Sequence, residues 1–166
     1  MAAKYYAIKS CVQSVLKPIG AENETGDIPI NFVNTFSQTR ESDSLAARAD
    51  GVEVITLETN VKYTFSVSME VITEPVLAML MGAEYNAETN TMTAKGEAPT
   101  TVYSLEGVFT LVGDDGSRLV KKMNIGKCRP IANNTVDLTS IDLSTFELQF
   151  NMLIDNNEFF KIVNNA

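Results

Sequence analysis

The chain has 166 residues, of which 45% are hydrophobic and 20% charged, and its formal net charge is −8. These values are typical of a soluble globular protein with one core, so we expect a single domain spanning residues 1–166. With this acidic balance we do not expect free nucleic acid to be a ligand, because no basic stripe can replace the counterions of a phosphate backbone.

Several residue types that common enzymes need are absent. The sequence contains no histidine and no tryptophan. Without histidine, neither a Ser-His-Asp triad nor an imidazole metal site can form. No CxxC pair and no glycine-rich phosphate-binding motif occurs either. We therefore expect a protein without enzymatic activity, cofactor or metal.

No apolar run approaches the ~20 residues that a membrane span requires, and the N-terminal segment lacks the apolar core of a signal peptide. We expect no membrane association and a chain that stays in the cytosol where it is made. In that compartment Cys11 and Cys128 are expected to be reduced.

In chain order, residues 4–16 alternate loosely and predict a first strand. Residues 28–36 predict a second strand, with Pro29 placing its start at a sheet edge. Residues 37–51, SQTRESDSLAARADG, show no period and predict a long polar loop. Such a loop is either solvated or ordered by contact with another molecule. The candidate contact residues are Arg40, Glu41, Asp43, Leu45, Arg48 and Asp50.

The strongest pattern in the chain is residues 61–72, VKYTFSVSMEVI, which alternate apolar and polar side chains. This period of two predicts a half-buried strand, roughly 40 Å long at about 3.3 Å per residue. Residues 52–57 are expected to lead into it through a turn at residues 58–60. The face predicted to meet water comprises Lys62, Thr64, Ser66, Ser68 and Glu70.

A short helix is predicted directly after this strand. Thr73 is a suitable N-cap, Glu74 and Pro75 suit the first turn, and Gly82 suits the C-terminal stop. The residues predicted to pack on the core are Val76, Leu77, Leu80 and Met81.

Two further features complete the predicted sheet. Residues 101–112 and 118–125 flank the turn Gly-Asp-Asp-Gly-Ser and predict a β-hairpin. Residues 144–155 repeat the long alternating pattern, with Glu147, Gln149 and Asn151 on the polar face, and are the best partner for residues 61–72. The expected fold is mainly β: a sandwich or flattened barrel of seven to nine strands, with one short α-helix and a long polar loop.

In the order of these elements the sequence resembles the bacteriophage tail tube proteins, the family of major tail proteins and of the inner tubes of contractile tails and tailocins. The resemblance is carried by the polar segment SQTRESDSLAARADG, the strand VKYTFSVSMEVI, the helix EPVLAMLMG and the late strand FELQFNMLI. It implies a virion protein, assembled in the host cytoplasm, that forms stacked hexameric rings around a lumen through which DNA passes. It also implies that the polar segment contacts the next ring, that the polar strand faces line the lumen, and that sheath, tape-measure, baseplate or terminator proteins are possible partners.

Two other classes remain open from the sequence. An immunoglobulin-like binding domain or a capsid decoration domain shares the β-sandwich. An enzyme with paired carboxylates, in the manner of glycosidases, could draw on Glu58, Glu70 or Glu147.

Overall fold

The structure is a computed structural model that describes residues 6–20, 26–30, 33–96, 100–131 and 146–164. Within these residues the protein is mainly β, with an antiparallel sheet of eight strands, a separate two-stranded hairpin and one short helix. The elements are β1 (Tyr6–Ile19), β2 (Ile28–Ile30), β3 (Val33–Ala49), β4 (Val52–Met69), α1 (Glu74–Leu80), β5 (Glu84–Asn86), β6 (Thr91–Thr93), β7 (Val102–Gly113), β8 (Arg118–Pro130), β9 (Phe146–Leu153) and β10 (Lys161–Asn164).

The large sheet has the strand order β2-β1-β7-β8-β9-β4-β3, and β10 pairs with β8 beside β9. The short strand β2 lies at one end of this order, as Pro29 predicted, and β3 lies at the other. The prediction of one strand over residues 28–36 is wrong, because residues 28–30 and 33–36 belong to strands at opposite ends of the sheet. Cα atoms of β1 and β3 come within 8 Å of each other, so the sheet curls back on itself. The predicted fold, a β-sandwich or flattened barrel with one short helix, is confirmed.

The core lies inside this curl and is built on the alternation of β4. Phe65, Val67 and Met69 are buried, while Ser66 and Ser68 between them are only half-buried. β9 is the hydrogen-bonded neighbour of β4, as its matching pattern predicted, and the described part of the strand begins at Phe146. The ring of Phe65 stacks between those of Phe150 and Phe36, at centroid distances of 4.7 Å and 5.6 Å.

The helix α1 forms where the sequence predicted it, after Thr73 and before a left-handed Gly82. Val76 and Leu80 are buried, as expected, and Leu77 is half-buried. The prediction that Met81 belongs to the core is wrong, since its side chain is 53% exposed. Met81 is the C-cap, so it lies past the last helical residue and the helical period no longer sets its direction. Ala78 and Met79 are buried in addition.

The predicted β7–β8 hairpin is confirmed, and its turn is closed by local hydrogen bonds. The Gly113 N–H donates to the Ser117 carbonyl at 2.8 Å, and Asp115 Oδ1 accepts from the Ser117 N–H at 2.9 Å.

Further along β8, Cys128 is a free, buried thiol. Burial raises its pKa to about 12, so it stays protonated and unreactive at neutral pH. The side chain of Cys11 lies outside the described part.

Leu80 and Met81 offer a matched test of how α1 packs. Leu80→Ala removes a side chain that is 2% exposed, and we expect it to lower the free energy of unfolding by about 2–5 kcal/mol. Met81→Ala removes a neighbouring side chain from the surface, and its effect should stay within about 0.5 kcal/mol. Urea unfolding followed by circular dichroism measures both values. Equal effects of the two substitutions would contradict the described burial of the helix.

Candidate functional site

Residues 37–51 do not form the predicted irregular loop. They belong to a long β-hairpin, in which the 17 residues of β3 pair with the 18 residues of β4. At its tip Asp50 and Gly51 both have positive φ, 52° and 79°, as the two central residues of a type I′ hairpin turn do. The predicted turn at residues 58–60 is likewise wrong, because β4 runs through it. Every described side chain of residues 37–51 is exposed, so burial imposes no alternation of apolar and polar residues on this segment.

The outer half of this hairpin has no further strand beside it among the described residues. β9 pairs with β4 only from Met69 to Thr64, where Thr64 lies opposite Asn151. Residues 40–63, which we call the arm, therefore continue as a ribbon of two strands, extending roughly 40 Å at about 3.3 Å per residue. Every described side chain from Arg40 to Arg48 is exposed, which shows that the ribbon is open to solvent on both faces.

Toward its tip, one side of the arm is apolar. Leu45 lies directly opposite Leu57, and Ala47 lies opposite Ile55, so the four side chains share one side of the ribbon. We call them the apolar seam. Leu45, Leu57 and Ile55 are 61%, 60% and 54% exposed. A contiguous apolar surface of this kind is typical of a contact site for another molecule.

The root of the arm contains a β-bulge. Glu41 pairs with Lys62 and Asp43 with Thr59, so β4 has one more residue than β3 in this interval. Asn60 takes up the extra residue with φ 52°, and its Nδ2 donates a hydrogen bond to Asp43 Oδ2 at 2.9 Å. The bulge shifts the register of β4 by one residue relative to β3. Beyond it, the alternate set of β4 side chains lies on the same face of the ribbon as a given set of β3 side chains.

An ion pair crosses the two strands beside the bulge. The guanidinium of Arg40 contacts the carboxylate of Glu58. This hydrogen bond and the attraction between the charges lower the pKa of Glu58 and raise the pKa of Arg40. Arg40 and Glu58 thus join the arm across its root, and Arg40 is engaged within the chain rather than free for a partner.

Besides the apolar seam, the structure has a second candidate contact surface on the part of the hairpin nearer the core. We call this surface the polar platform. It consists of the solvent-facing rows of β3, β4, β9 and the end of β8, where each row joins residues that lie opposite one another in the register. All of these side chains are exposed or half-buried. The rows are Thr35, Ser68 and Glu147; Ser37, Ser66 and Gln149; Thr39, Thr64, Asn151 and Arg129; and Glu41 with Lys62.

The platform brings together seven of the eight residues predicted to line a lumen. The exception is Glu70, which follows the end of β4 in a bend and belongs to no row. Sequence reasoning missed Arg129 and the three hydroxyls of β3, and it assigned Glu41 to the contact segment, since membership depends on pairing between strands that are distant in sequence. The spacing of Thr35, Ser37 and Thr39 is the local signal that could have identified them.

Of the candidate carboxylates of a glycosidase-like site, Glu58 is not brought near Glu147, whereas Glu70 follows Ser68, the residue opposite Glu147, by two positions. Glu58 lies opposite Ser44 in the arm, whereas Glu147 lies opposite Ser68 near the other end of β4. Ten residues of extended strand separate the two positions, about 30 Å, against the roughly 5–10 Å that paired carboxylates need.

Among the described residues no group of three or more acidic or cysteine side chains could hold a metal ion. No helix in the described part is both long and apolar enough to span a membrane.

Comparison with known proteins adds little to this geometry. No family profile matches the chain, and no curated protein matches it. Among solved structures, the chain is similar to one in the cryo-EM structure of the anti-feeding prophage (AFP) baseplate, 6-fold symmetrised. The two share 11% sequence identity over 95% of each chain, with a TM-score of 0.48. A similarity at this level carries no argument about family or function.

Substitution of Arg40 tests whether the Arg40–Glu58 ion pair forms at the root of the arm in solution. Arg40→Gln removes the cation, so we expect the pKa of Glu58 to rise back toward its ordinary value. Because the folded-state pKa is lowered, the stabilisation by this pair is present above the unfolded-state pKa and is lost as the pH falls through the folded-state pKa. A carbon-13 NMR titration of the Glu58 carboxyl in both proteins measures the difference. Identical titration curves would show that the ion pair does not persist in solution.

Proposed function

We propose that this chain is a structural subunit of a phage tail tube, or of a phage-derived tail, that assembles with copies of itself into hexameric rings stacked around a conduit for DNA. The observation that supports this most strongly is the arm. A two-stranded ribbon is at best marginally stable alone in water, and this one exposes Leu45, Ile55 and Leu57 on one side. A partner that covers the apolar seam would stabilise the arm and bury these side chains.

A second copy of the chain is the partner that the distribution of apolar surface favours. The apolar seam lies toward one end of β4, whereas Val71, two residues beyond the other end, is 56% exposed. Met81, at the end of α1, is also exposed. An arm that reaches the opposite end of the next copy makes a head-to-tail contact, and such contacts propagate into rings or filaments.

The sheet edges support ring formation within the same proposal. β3 is the last strand in the order of the described sheet, and although β1 comes within 8 Å of it, no described strand pairs with its outer edge. Backbone groups along this edge can therefore pair with a further strand. Pairing of this edge with a neighbouring copy would extend the sheet from subunit to subunit. The polar platform lies on β3 and the adjoining strands, and in the proposed ring it faces the lumen.

The remaining parts of the proposal follow from the same role. The chain acts without enzymatic activity, cofactor or metal, and DNA passes the platform without specific binding. Sheath, tape-measure, baseplate or terminator proteins are candidate neighbours of the assembled tube. The place of action is the virion tail, after assembly in the host cytoplasm.

Shortening the arm tests this function while keeping the hairpin closed. Deleting residues 44–49 and 52–58 places the Asp50-Gly51 turn between Asp43 and Thr59, which are already opposite one another. The shortened protein should fold, because the deletion leaves the core untouched, and it should form no long tubes. Circular dichroism checks the fold, and negative-stain electron microscopy with sedimentation checks assembly. Long tubes formed without the arm would refute its role in assembly.

The apolar seam can be tested by substitution alone. Leu45→Ser together with Leu57→Ser keeps both strands but removes two apolar side chains, each worth about 1.5–3 kcal/mol when fully buried. We therefore expect the critical concentration for assembly to rise by about tenfold or more. Ala46→Ser together with Thr56→Ser alters the register pair on the other side of the ribbon and serves as the matched control.

Sedimentation at a series of protein concentrations measures these critical concentrations. Equal values for the two double variants would show that the seam is not the contact. A wild-type protein that remains a monomer with an ordered arm at all concentrations would instead favour the binding or decoration domain.

A further inference from the structure

The sheet forks at the point where the arm begins. Up to Asn151, β9 lies beside β4, but its last residues pair with β8, from Pro130 to Lys127. After a tight turn the chain continues along the same edge of β8 as β10, opposite residues 121–124. β4 therefore loses its neighbour at Thr64, and the arm leaves the sheet while β9 and β10 stay with β8.

Three aromatic side chains fill this fork. The ring of Tyr63, the first residue of β4 past the pairing with β9, contacts Phe159 at a centroid distance of 4.9 Å and Phe160 at 5.6 Å. The contact with Phe160 is edge-on, at an interplanar angle of 77°. All three side chains are partly buried and pack against the core. We call them the aromatic wedge, and it extends the core beneath the root of the arm.

The segment that carries Phe159 and Phe160 is itself fixed to β8. Asp155 and Glu158 exchange two backbone hydrogen bonds of 2.9 Å around Asn156 and Asn157, which both have positive φ. The Asp155 carboxylate pairs with Lys127 Nζ at 2.9 Å. Its Oδ2 and Cβ lie 2.7 Å and 3.0 Å from where a Cβ on residue 126 would stand, so a side chain in place of Gly126 would force the Asp155 side chain to shift.

We propose that the aromatic wedge is a positioning device, which sets the angle at which the arm leaves the sheet. Phe159 and Phe160, anchored through β8, supply the fixed side of the contact. Tyr63 supplies the side that belongs to the arm, directly opposite Arg40 of β3. The bulge at Asn60 lies just beyond the wedge, so the wedge is the last aromatic support before the ribbon becomes solvated. This role concerns the isolated subunit and stands apart from the proposed function, whatever the arm binds.

Distances between two spin labels test the wedge directly. Nitroxides are attached at Ser44→Cys in the arm and Asp114→Cys in the β7–β8 turn, on a Cys11→Ser background, while buried Cys128 resists labelling. We expect one narrow distance distribution in otherwise wild-type protein at a concentration below assembly. With Phe159→Ala and Phe160→Ala the distribution should broaden and its maximum should shift, because the arm loses its fixed contact.

Phe146→Ala is the matched control, since Phe146 is also partly buried against the core but is not among the aromatic contacts of Tyr63. It should leave the distribution narrow even where it lowers the melting temperature. If the double variant does not fold, Tyr63→Leu tests the same contact from the arm, and we expect the same broadening. Phe160→Tyr keeps the ring and should keep the distribution narrow. An unchanged distribution after loss of the wedge, or equal broadening with Phe146→Ala, would overturn the proposal.

Discussion

The alternation of side chains along β4 is the constraint on which the rest of the structure depends. Because successive residues point to opposite faces, the burial of Phe65 and Val67 obliges Ser66 and Ser68 to face outward. A slip of one residue against β3 or β9 would expose the apolar set and bury the hydroxyls, so the register is strongly specified. The rows of the polar platform are therefore a consequence of core packing: the strands that close the core must also align their polar residues.

The bulge at Asn60 interrupts the alternation of β4, so the pattern that core packing imposes does not continue into the arm. On β3 the platform side continues without interruption through Glu41 and Asp43 to Leu45, whereas on β4 the extra residue brings Leu57 to that side in place of Glu58. The same side of the ribbon thus carries hydroxyl and charged groups near the core and the apolar seam near the tip. Without the bulge, Leu45 would face a charged residue across the ribbon, and the seam would be broken. The left-handed Asn60 therefore decides which side chains of β4 join Leu45 and Ala47 in the apolar seam.

The sequence allowed accurate prediction wherever local chemistry or burial leaves a pattern. The period of two in residues 61–69, the Thr-Glu-Pro start of α1 and the turn between β7 and β8 all correspond to observed elements. The arm could not be recognised by periodicity, since a ribbon that is solvated on both sides needs no alternation, although its Asp50-Gly51 turn was a usable local signal. Arg129 could not be assigned to the platform because strand pairing between distant segments decides its neighbours.

The charge of the platform bears on how a polyanion would pass it in the proposed conduit. The chain as a whole is acidic, with a formal net charge of −8. On the platform, however, Glu41 and Glu147 are balanced by Lys62 and Arg129, and the other side chains are uncharged hydroxyls and amides. DNA binds non-specific surfaces mainly by releasing counterions to rows of cations. The two cations of the platform lie in different rows, and the same surface carries two carboxylates. They therefore do not form a continuous line of positive charge. In the proposed conduit, the lack of a basic stripe would be enough to let DNA pass, without net repulsion from the wall.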